Sequence, residues 1–475
     1  MNRNPYRQGK SEFSELLQNY KNLQSGLKFT YIEEDDFISI VEYFIEKQKN
    51  NEALEAVDYA IAQFCYSAAL LILKADILLS MRRFEDCLIF LEYASLLDRN
   101  DSNIYIIKTD ALLALDKHDE AAYVLEEALD LFEGEDKVNL LFELADVYDD
   151  YESFDKVFDC LKLILETEPE NEEALYKICF WTDHTGRNEE GIKLHQGILD
   201  TNPYNELAWF NLGAAYQGIK LYEKAIDAYQ FAVAINEKFD YAYRNIGDAF
   251  IRLKKYKEAI EALEKVLTLS LPEAVIYEAI GHCYDKMNNY TQARFNYKKA
   301  CHLNQDNSKM HYKIACTYMN EGNWHNAIKS LQQALKFHLL HPEYNLALGR
   351  CFLYLENYDE AITYLGNVVR IRPKNSNGWI ELLNCLFQGE LYEEGLDYTG
   401  LALEQTDSKV IFLYYKAAFL LSLGQNKEGL IYLEHGLSAN PKMVKQLIEL
   451  KPSLLQNHQV VDLISRYKTK KSTKK

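Results

Sequence analysis

The chain is poor in the two residues that interrupt regular structure, with 8 prolines and 20 glycines among 475 residues. That scarcity argues against a protein made of irregular loops and favours long runs of regular secondary structure. No apolar run approaches the length needed to cross a bilayer; Ala68–Leu73 (AALLIL) is typical. The opening MNRNPYRQGKSEF lacks the apolar core of a secretion signal. The nine cysteines are scattered with no C-x-x-C pair, so neither a zinc site nor a disulfide framework is indicated. A reduced, cytoplasmic protein without a cofactor is the expectation.

What the chain has in excess is tyrosine, 35 residues, and much of it is periodic. With Glu206 as position 1, Trp209, Leu212, Gly213 and Tyr216 fall at positions 4, 7, 8 and 11. Tyr222, Ala225, Tyr229 and Ala232 follow at 17, 20, 24 and 27. Moving 34 residues on gives Tyr243, Ile246, Gly247, Phe250, Tyr256, Ala259, Leu263 and Val266, and another 34 gives Tyr277, Ile280, Gly281, Tyr284, Tyr290, Ala293, Tyr297 and Ala300. The register runs from Glu34 to Met443 as twelve copies, broken only by Asp136–Lys137 after the third. Positions 4, 7, 8 and 11 share one helix face, and 20, 24 and 27 share a face of a second helix. Small residues at 8 and 20 let the two helices approach, while aromatics at 4, 11, 17 and 24 fill the space between repeats. That packing would account for the tyrosine. Lys74, Lys108 and Lys416 at position 7 depart from the pattern, as do Val157, Gly191, Gly395 and Gly429 at position 20, which weakens the packing argument for those repeats without breaking the period.

The period also decides the meaning of WFNLGAAYQGIK, Trp209–Lys220, in which Gly213, Gly218 and Lys220 approach the spacing of a phosphate-binding loop. Such a loop needs both glycines, a preceding strand and Ser or Thr after the lysine. Here Leu221 follows, and the flanks read as helix. Gly213 recurs as Gly247, Gly281, Ala315 and Gly349, whereas Gly218 is replaced by Arg252, Lys286 and Asn320 and reads as incidental. The phosphate loop is rejected.

The pattern resembles the tetratricopeptide repeat, W-x2-L-G-x2-Y, then A-x3-F, then P. Trp209, Leu212, Gly213 and Tyr216 match the first element, and Ala225 and Tyr229 the second, with Tyr for Phe. Pro169, Pro203, Pro373 and Pro441 supply the last in other copies. The resemblance implies an all-α, right-handed α-α superhelix of about twelve 34-residue helical hairpins. Residues 34–205 are then repeats one to five, and 206–443 are repeats six to twelve, of which six to ten are clearest. Terminal repeats need polar caps: residues 1–33 supply an N-terminal helix and 444–467 C-terminal ones, ahead of a basic tail, 468–475, expected to be disordered.

In this family the inward positions of the first helix are 2, 5, 6, 9, 12 and 13. Position 9 of repeats one to four carries Glu42, Asp76, Asp110 and Asp146, and Glu46, Glu143, Asp149, Asp150 and Asp183 add to the row. Repeats one to five hold 14 Lys/Arg against 40 Asp/Glu, within a chain of net charge −20. Such a face either keeps a long protein soluble or steers a basic partner segment, the chain's own tail included, in cis or from another copy. The central inner face differs, with Phe210, Asn211, Tyr241, Arg244, Asn245, Arg252, Lys286, Lys309, Tyr312, Lys313, Arg350 and Tyr354. Asparagine amides both donate and accept, which suits a peptide backbone. Arg244, Lys309 and Lys313 partly resemble the carboxylate clamp of co-chaperone repeat domains, but Asp248 and Ala279 stand where its asparagines belong. An Arg244–Asp248 ion pair one turn apart is the simpler reading.

Catalytic constellations are missing. His338 and His341 lack a third ligand, His282 and Cys283 are helix neighbours that point apart, and Asp149–Asp150 face no second group. Cys283, Cys351 and Cys385 share position 10, as packing residues do. The expectation is a non-catalytic scaffold binding an extended peptide or partner protein along the first helices. The alternatives are an RNA-binding solenoid using repeats seven to ten and the tail, opposed by the net charge, and a peptide-sensing regulatory solenoid.

Overall fold

The computed structural model describes residues 10–25, 31–304, 306–407 and 409–472, and among them every regular element is helical. Two compact units divide the chain, residues 1–242 and 243–475, the division falling within the helix Asp240–Arg252. After an N-terminal helix, Lys10–Gln24, the first unit is a run of six helical hairpins. The second holds the remaining six and ends in Val444–Leu450 and His458–Ser472. Charge divides with them: residues 1–242 carry 22 Lys/Arg against 48 Asp/Glu, and residues 243–475 carry 30 against 24.

Each hairpin follows the sequence period. In repeat six, helix A is Glu206–Gly218 and helix B is Tyr222–Ile235, filling positions 1–13 and 17–30. Helix A starts where position 34 of the preceding repeat offers an N-cap: Asn205 Oδ1 accepts from the Ala208 amide at 2.9 Å, and Asn171 Oδ1 from Ala174 at 3.0 Å. The Asp136–Lys137 insertion is absorbed at this junction. Helix B of repeat three, His118–Ala128, ends a turn early, and helix A of repeat four, Gly134–Asp150, starts a turn early.

The turn between A and B is built alike throughout. Position 15 has positive φ in all twelve repeats: Gly186, Gly322 and Gly424 in three, and non-glycine residues such as Lys220 (φ 64°) and Glu356 (φ 58°) in nine. The next amide then reaches back to the carbonyl at position 11, as Leu221 N–H does to Tyr216 at 2.9 Å, closing the helix end in a Schellman-type turn. Lys220, the residue that suggested a phosphate loop, is therefore this turn residue. Side chains are strained in that conformation by ~1–2 kcal/mol, partly offset by the entropy a glycine adds to the unfolded chain. Lys220→Gly is expected to stabilise the first unit by ~0.5–1 kcal/mol in denaturant melts.

The period's packing logic is visible in the core. Position 8 glycines lie against position 24 of the same hairpin: a Cβ on Gly213 would sit 2.6 Å from the Tyr229 ring, and one on Gly281 2.7 Å from Tyr297. Position 4 indoles tie to the preceding connection. Trp209 Nε1 donates to the Pro203 carbonyl at 2.8 Å, and Trp379 Nε1 to that of Pro373 at 2.7 Å.

Four expectations need correction. Gly395 and Gly429 do not weaken the packing argument for their repeats; their missing side chains admit Phe419 and Leu421, whose carbons would lie 2.2 and 2.7 Å from an added Cβ. Gly218 is not incidental, because the buried Asn188 amide packs onto it, with Oδ1 2.3 Å from where a Cβ would stand. Tyrosine is only partly a packing residue: Tyr229 and Tyr297 are buried, but Tyr59, Tyr93, Tyr123, Tyr176 and Tyr354 are exposed. Finally, the backbone is helical to Ser472, so most of the tail expected to be disordered continues the last helix, while 473–475 lie outside the described residues.

Candidate interaction surfaces

The helix-A face of the first unit gathers part of the acidic row. Asp76, Asp110 and Glu143 come from position 9, 9 and 6 of repeats two, three and four. Burial and then the neighbouring Asp76 hold the Asp110 carboxyl above its usual range, and burial does the same for Asp76. Glu143 is raised by burial, then by Asp110 and Asp146. The Cys87 thiol, buried beneath Asp76 and Asp110, is pushed up to about 12 by burial and by both carboxylates. Among the described residues no cation forms an ion pair with Asp76, Asp110 or Glu143. Asp146 has Lys177 at 3.5 Å, and that lysine is shared with Glu173 at 3.1 Å. Glu42 stands apart, raised by burial and by Glu46. Asp149 and Asp150 are exposed at the helix end and do not enter these interactions. The acidic row therefore narrows to a run across repeats two to four.

The central residues behave differently. In the first unit Asn211 is buried, and its Nδ2 donates to the Leu175 carbonyl at 2.7 Å. It ties two successive A helices together and is not presented to a peptide, which corrects its reading as a backbone-binding amide. Phe210 is half-buried against Tyr229 and Phe239, at ring-centroid distances of 5.5 and 5.0 Å. Tyr241 is exposed.

In the second unit most of the expected cations are already engaged; Lys286 is exposed and forms no ion pair among the described residues. The Arg244 fork closes on Glu273, with Nη1 at 2.9 Å and Nη2 at 2.6 Å from the two carboxylate oxygens, and holds that carboxyl below its usual range. Asp248 has Arg252 at 3.6 Å. Lys309 and Lys313 converge on one oxygen of Glu278 at 2.9 and 2.8 Å. Burial would raise that carboxyl, but the two lysines hold it low. Arg350 meets Glu381 at 2.5 Å. Asn245 is half-buried, and Tyr312 lies tilted on Tyr344 with centroids 5.0 Å apart. The acids that neutralise these cations lie 29 to 35 residues away in sequence, Glu273 at the last position of the same repeat and Glu278 and Glu381 on adjoining repeats.

The second unit also has a hollow that the sequence reading did not assemble. Asn320, Tyr354 and Gln388, the last residues of three successive A helices, line it together with Trp324, Arg350 and Glu381. The Trp324 and Tyr354 rings stack in parallel, with centroids 4.2 Å apart and planes within 2°. All three helix-end residues occupy position 13, so the row was legible. Trp324, at position 17, joins it only through the fold.

Family profiles described as tetratricopeptide repeats match residues 207–239 and 346–410. A third profile, the C-terminal ARM domain of tetratricopeptide repeat protein 21, matches residues 224–347. The chain thus carries tetratricopeptide repeats. Among curated proteins no sequence matches. Among solved structures it is similar to YrrB, described as a TPR protein with an unusual peptide-binding site, at 19% identity over 39% of this chain and 95% of YrrB, with a TM-score of 0.34. It is also similar to the C-terminal part of a TPR repeat-containing protein from Cytophaga hutchinsonii, at 17% identity over 54% and 98%, TM-score 0.44. Pseudomonas aeruginosa pilF is 20% identical over 46% and 96%, TM-score 0.36. Among the described residues no helix is long and apolar enough to cross a membrane.

Proposed function

We propose that this chain is a non-catalytic interaction scaffold whose first unit docks a Lys/Arg-rich segment of a partner protein on the acidic run of repeats two to four. The observation that carries the reading is the contrast between the two helix-A faces. Arg244, Lys309, Lys313 and Arg350 of the second unit are closed on neighbouring carboxylates, so a charged ligand at those residues would have to displace an existing partner. Among the described residues Asp76, Asp110 and Glu143 form no such ion pair; Asp76 raises the proton affinity of Asp110, and Asp110 that of Glu143, which Lys177 only partly opposes. A basic segment supplies the missing charges, and a carboxylate row steers its approach. The RNA reading gains nothing from Arg244, Lys309, Lys313 and Arg350, each of which is paired.

The test is titration of a labelled KTKKSTKK peptide onto the full chain. Binding is expected at low salt and should be largely lost at ~1 M, where the Debye length is ~3 Å. It should weaken about tenfold when Asp76, Asp110 and Asp146 become Asn and Glu143 becomes Gln, and little with Glu42→Gln. Binding that is absent at low salt, or unchanged in the fourfold variant, reduces the row to a solubility feature.

A stability measurement checks the same geometry independently. A carboxyl raised above its unfolded value binds protons better in the native state, so its contribution is unfavourable at neutral pH and disappears as pH falls through the raised value. Asp76→Asn with Asp110→Asn should therefore raise the melting temperature at neutral pH, and the gain should vanish in acid. A loss of stability at neutral pH would mean that the two carboxylates are not in mutual repulsion.

A further inference from the structure

We infer that the hollow at the ends of helices A in repeats nine to eleven is a second docking site, independent of the acidic row, and that it takes an uncharged, proline-bearing extended segment of a partner. The hollow measures about 590 Å³ and opens on the helix-A face. Three features determine its occupant.

The first is charge balance. Arg350 and Glu381 contribute the charges lining it, and at 2.5 Å they satisfy each other. A ligand of either sign would have to break that pair, whereas a neutral one leaves it intact.

The second is the aromatic tile. Tyr354 is 65% exposed, yet its ring is held flat by the parallel stack on Trp324. A large flat surface that is already ordered loses little freedom on binding. Pyrrolidine rings dock on such surfaces, which is how aromatic-lined grooves read polyproline II segments.

The third is the pair of amides. Asn320 and Gln388, at the equivalent position of the repeats on either side of Tyr354, make no hydrogen bond to the described protein, and each side chain both donates and accepts. An extended polyproline II backbone has no internal hydrogen bonds and offers its carbonyls outward. The arrangement of amide, aromatic, amide along successive repeats thus matches main chain, proline ring, main chain along an extended ligand.

The experiment is calorimetric titration of the full chain with a short acetylated and amidated peptide of alternating proline and serine. The same peptide with alanine in place of each proline serves as control. The proline peptide should bind with an affinity that changes little between low salt and ~1 M, unlike the basic peptide at the acidic row. Tyr354→Ala should weaken it about tenfold or more, and Asn320→Ala with Gln388→Ala about tenfold, with melting temperatures unchanged. Tyr354→Phe should restore near-normal affinity, and the fourfold acidic-row variant should bind the proline peptide normally. The inference is overturned by no binding of the proline peptide, by equal affinity for the alanine control, by loss of binding in high salt, or by full retention in Tyr354→Ala. None of those results bears on the acidic row, whose own titration stands separately.

Discussion

Gly213→Leu is expected to destabilise the first unit by ~1–3 kcal/mol or more, because the position has no room for a side chain of any size. An added Cβ alone would stand 2.6 Å from two carbons of the Tyr229 ring. That ring cannot step aside. It is fully buried, and its hydroxyl donates to Gln217 Oε1 at 3.1 Å. Leucine adds further carbons in the same direction, so helix A of repeat six must move away from helix B, and the loss should spread to adjoining hairpins, since each repeat is stable only against its neighbours. At ~2–4 °C per kcal/mol for a unit of this size, thermal melting followed by circular dichroism will resolve it. Gly197→Leu is the internal control. It also sits in a helix of the first unit, in helix B of repeat five, but a Cβ there meets nothing within 4 Å. That substitution should be neutral or gain ~0.5–1 kcal/mol by removing a helical glycine. Equal losses at both positions would show that the effect is not overpacking.

The same pair of glycines shows what was legible in the sequence. A periodic glycine marks a contact repeated in several hairpins, so the role of Gly213 follows from its recurrence as Gly247, Gly281 and Gly349. The value of Gly218 does not, because glycine stands at position 13 in one repeat only, where Asn188 of the preceding repeat packs onto it. The hairpins themselves were legible because position, burial and chain reversal all recur with one period. The left-handed residue at position 15 recurs as well, but nine non-glycine residues of six kinds hide it, since a Schellman turn is set by backbone closure more than by side-chain identity. Site residues were least legible. Inward phase correctly placed the Arg244, Lys309, Lys313 and Arg350 positions on the A helices, yet phase says nothing about neutralisation. Their partners are Glu273, at the junction with the next repeat, and Glu278 and Glu381 from adjoining repeats, and pairing depends on how successive A helices stack. Asn211 illustrates the limit most simply: its position is inward in phase, but close approach of the preceding A helix buries it. Acidic residues were easier, since their shared position marks the row directly and no ion pair closes on Asp76, Asp110 or Glu143 among the described residues, although Lys177 partly offsets Glu143.

His195→Leu is expected to stabilise the first unit, most of all in mild acid. Position 24 faces the hairpin interior, and leucine occupies it in repeats two, three and four as Leu91, Leu125 and Leu161. In repeat five it is His195, 1% exposed, and neither ring nitrogen has a hydrogen-bond partner. An unsatisfied buried polar group costs ~1–3 kcal/mol, which leucine of similar volume avoids at every pH. Burial also depresses the imidazole to about 3 from 6.5. Below pH 6.5 the unfolded chain takes up a proton that the native state refuses, so wild-type stability is present above that value and falls as the pH drops toward 3. The slope is ~1.4 kcal/mol per pH unit, or about 2 kcal/mol lost between pH 6.5 and pH 5. The variant lacks this term, so the gap between the two proteins should widen from neutral pH to pH 5 in parallel denaturant titrations. A gap that is constant with pH would mean that the buried imidazole protonates freely in the folded protein, through a water or a local opening. A variant less stable than wild type at neutral pH would mean that the ring's packing outweighs its missing hydrogen bonds.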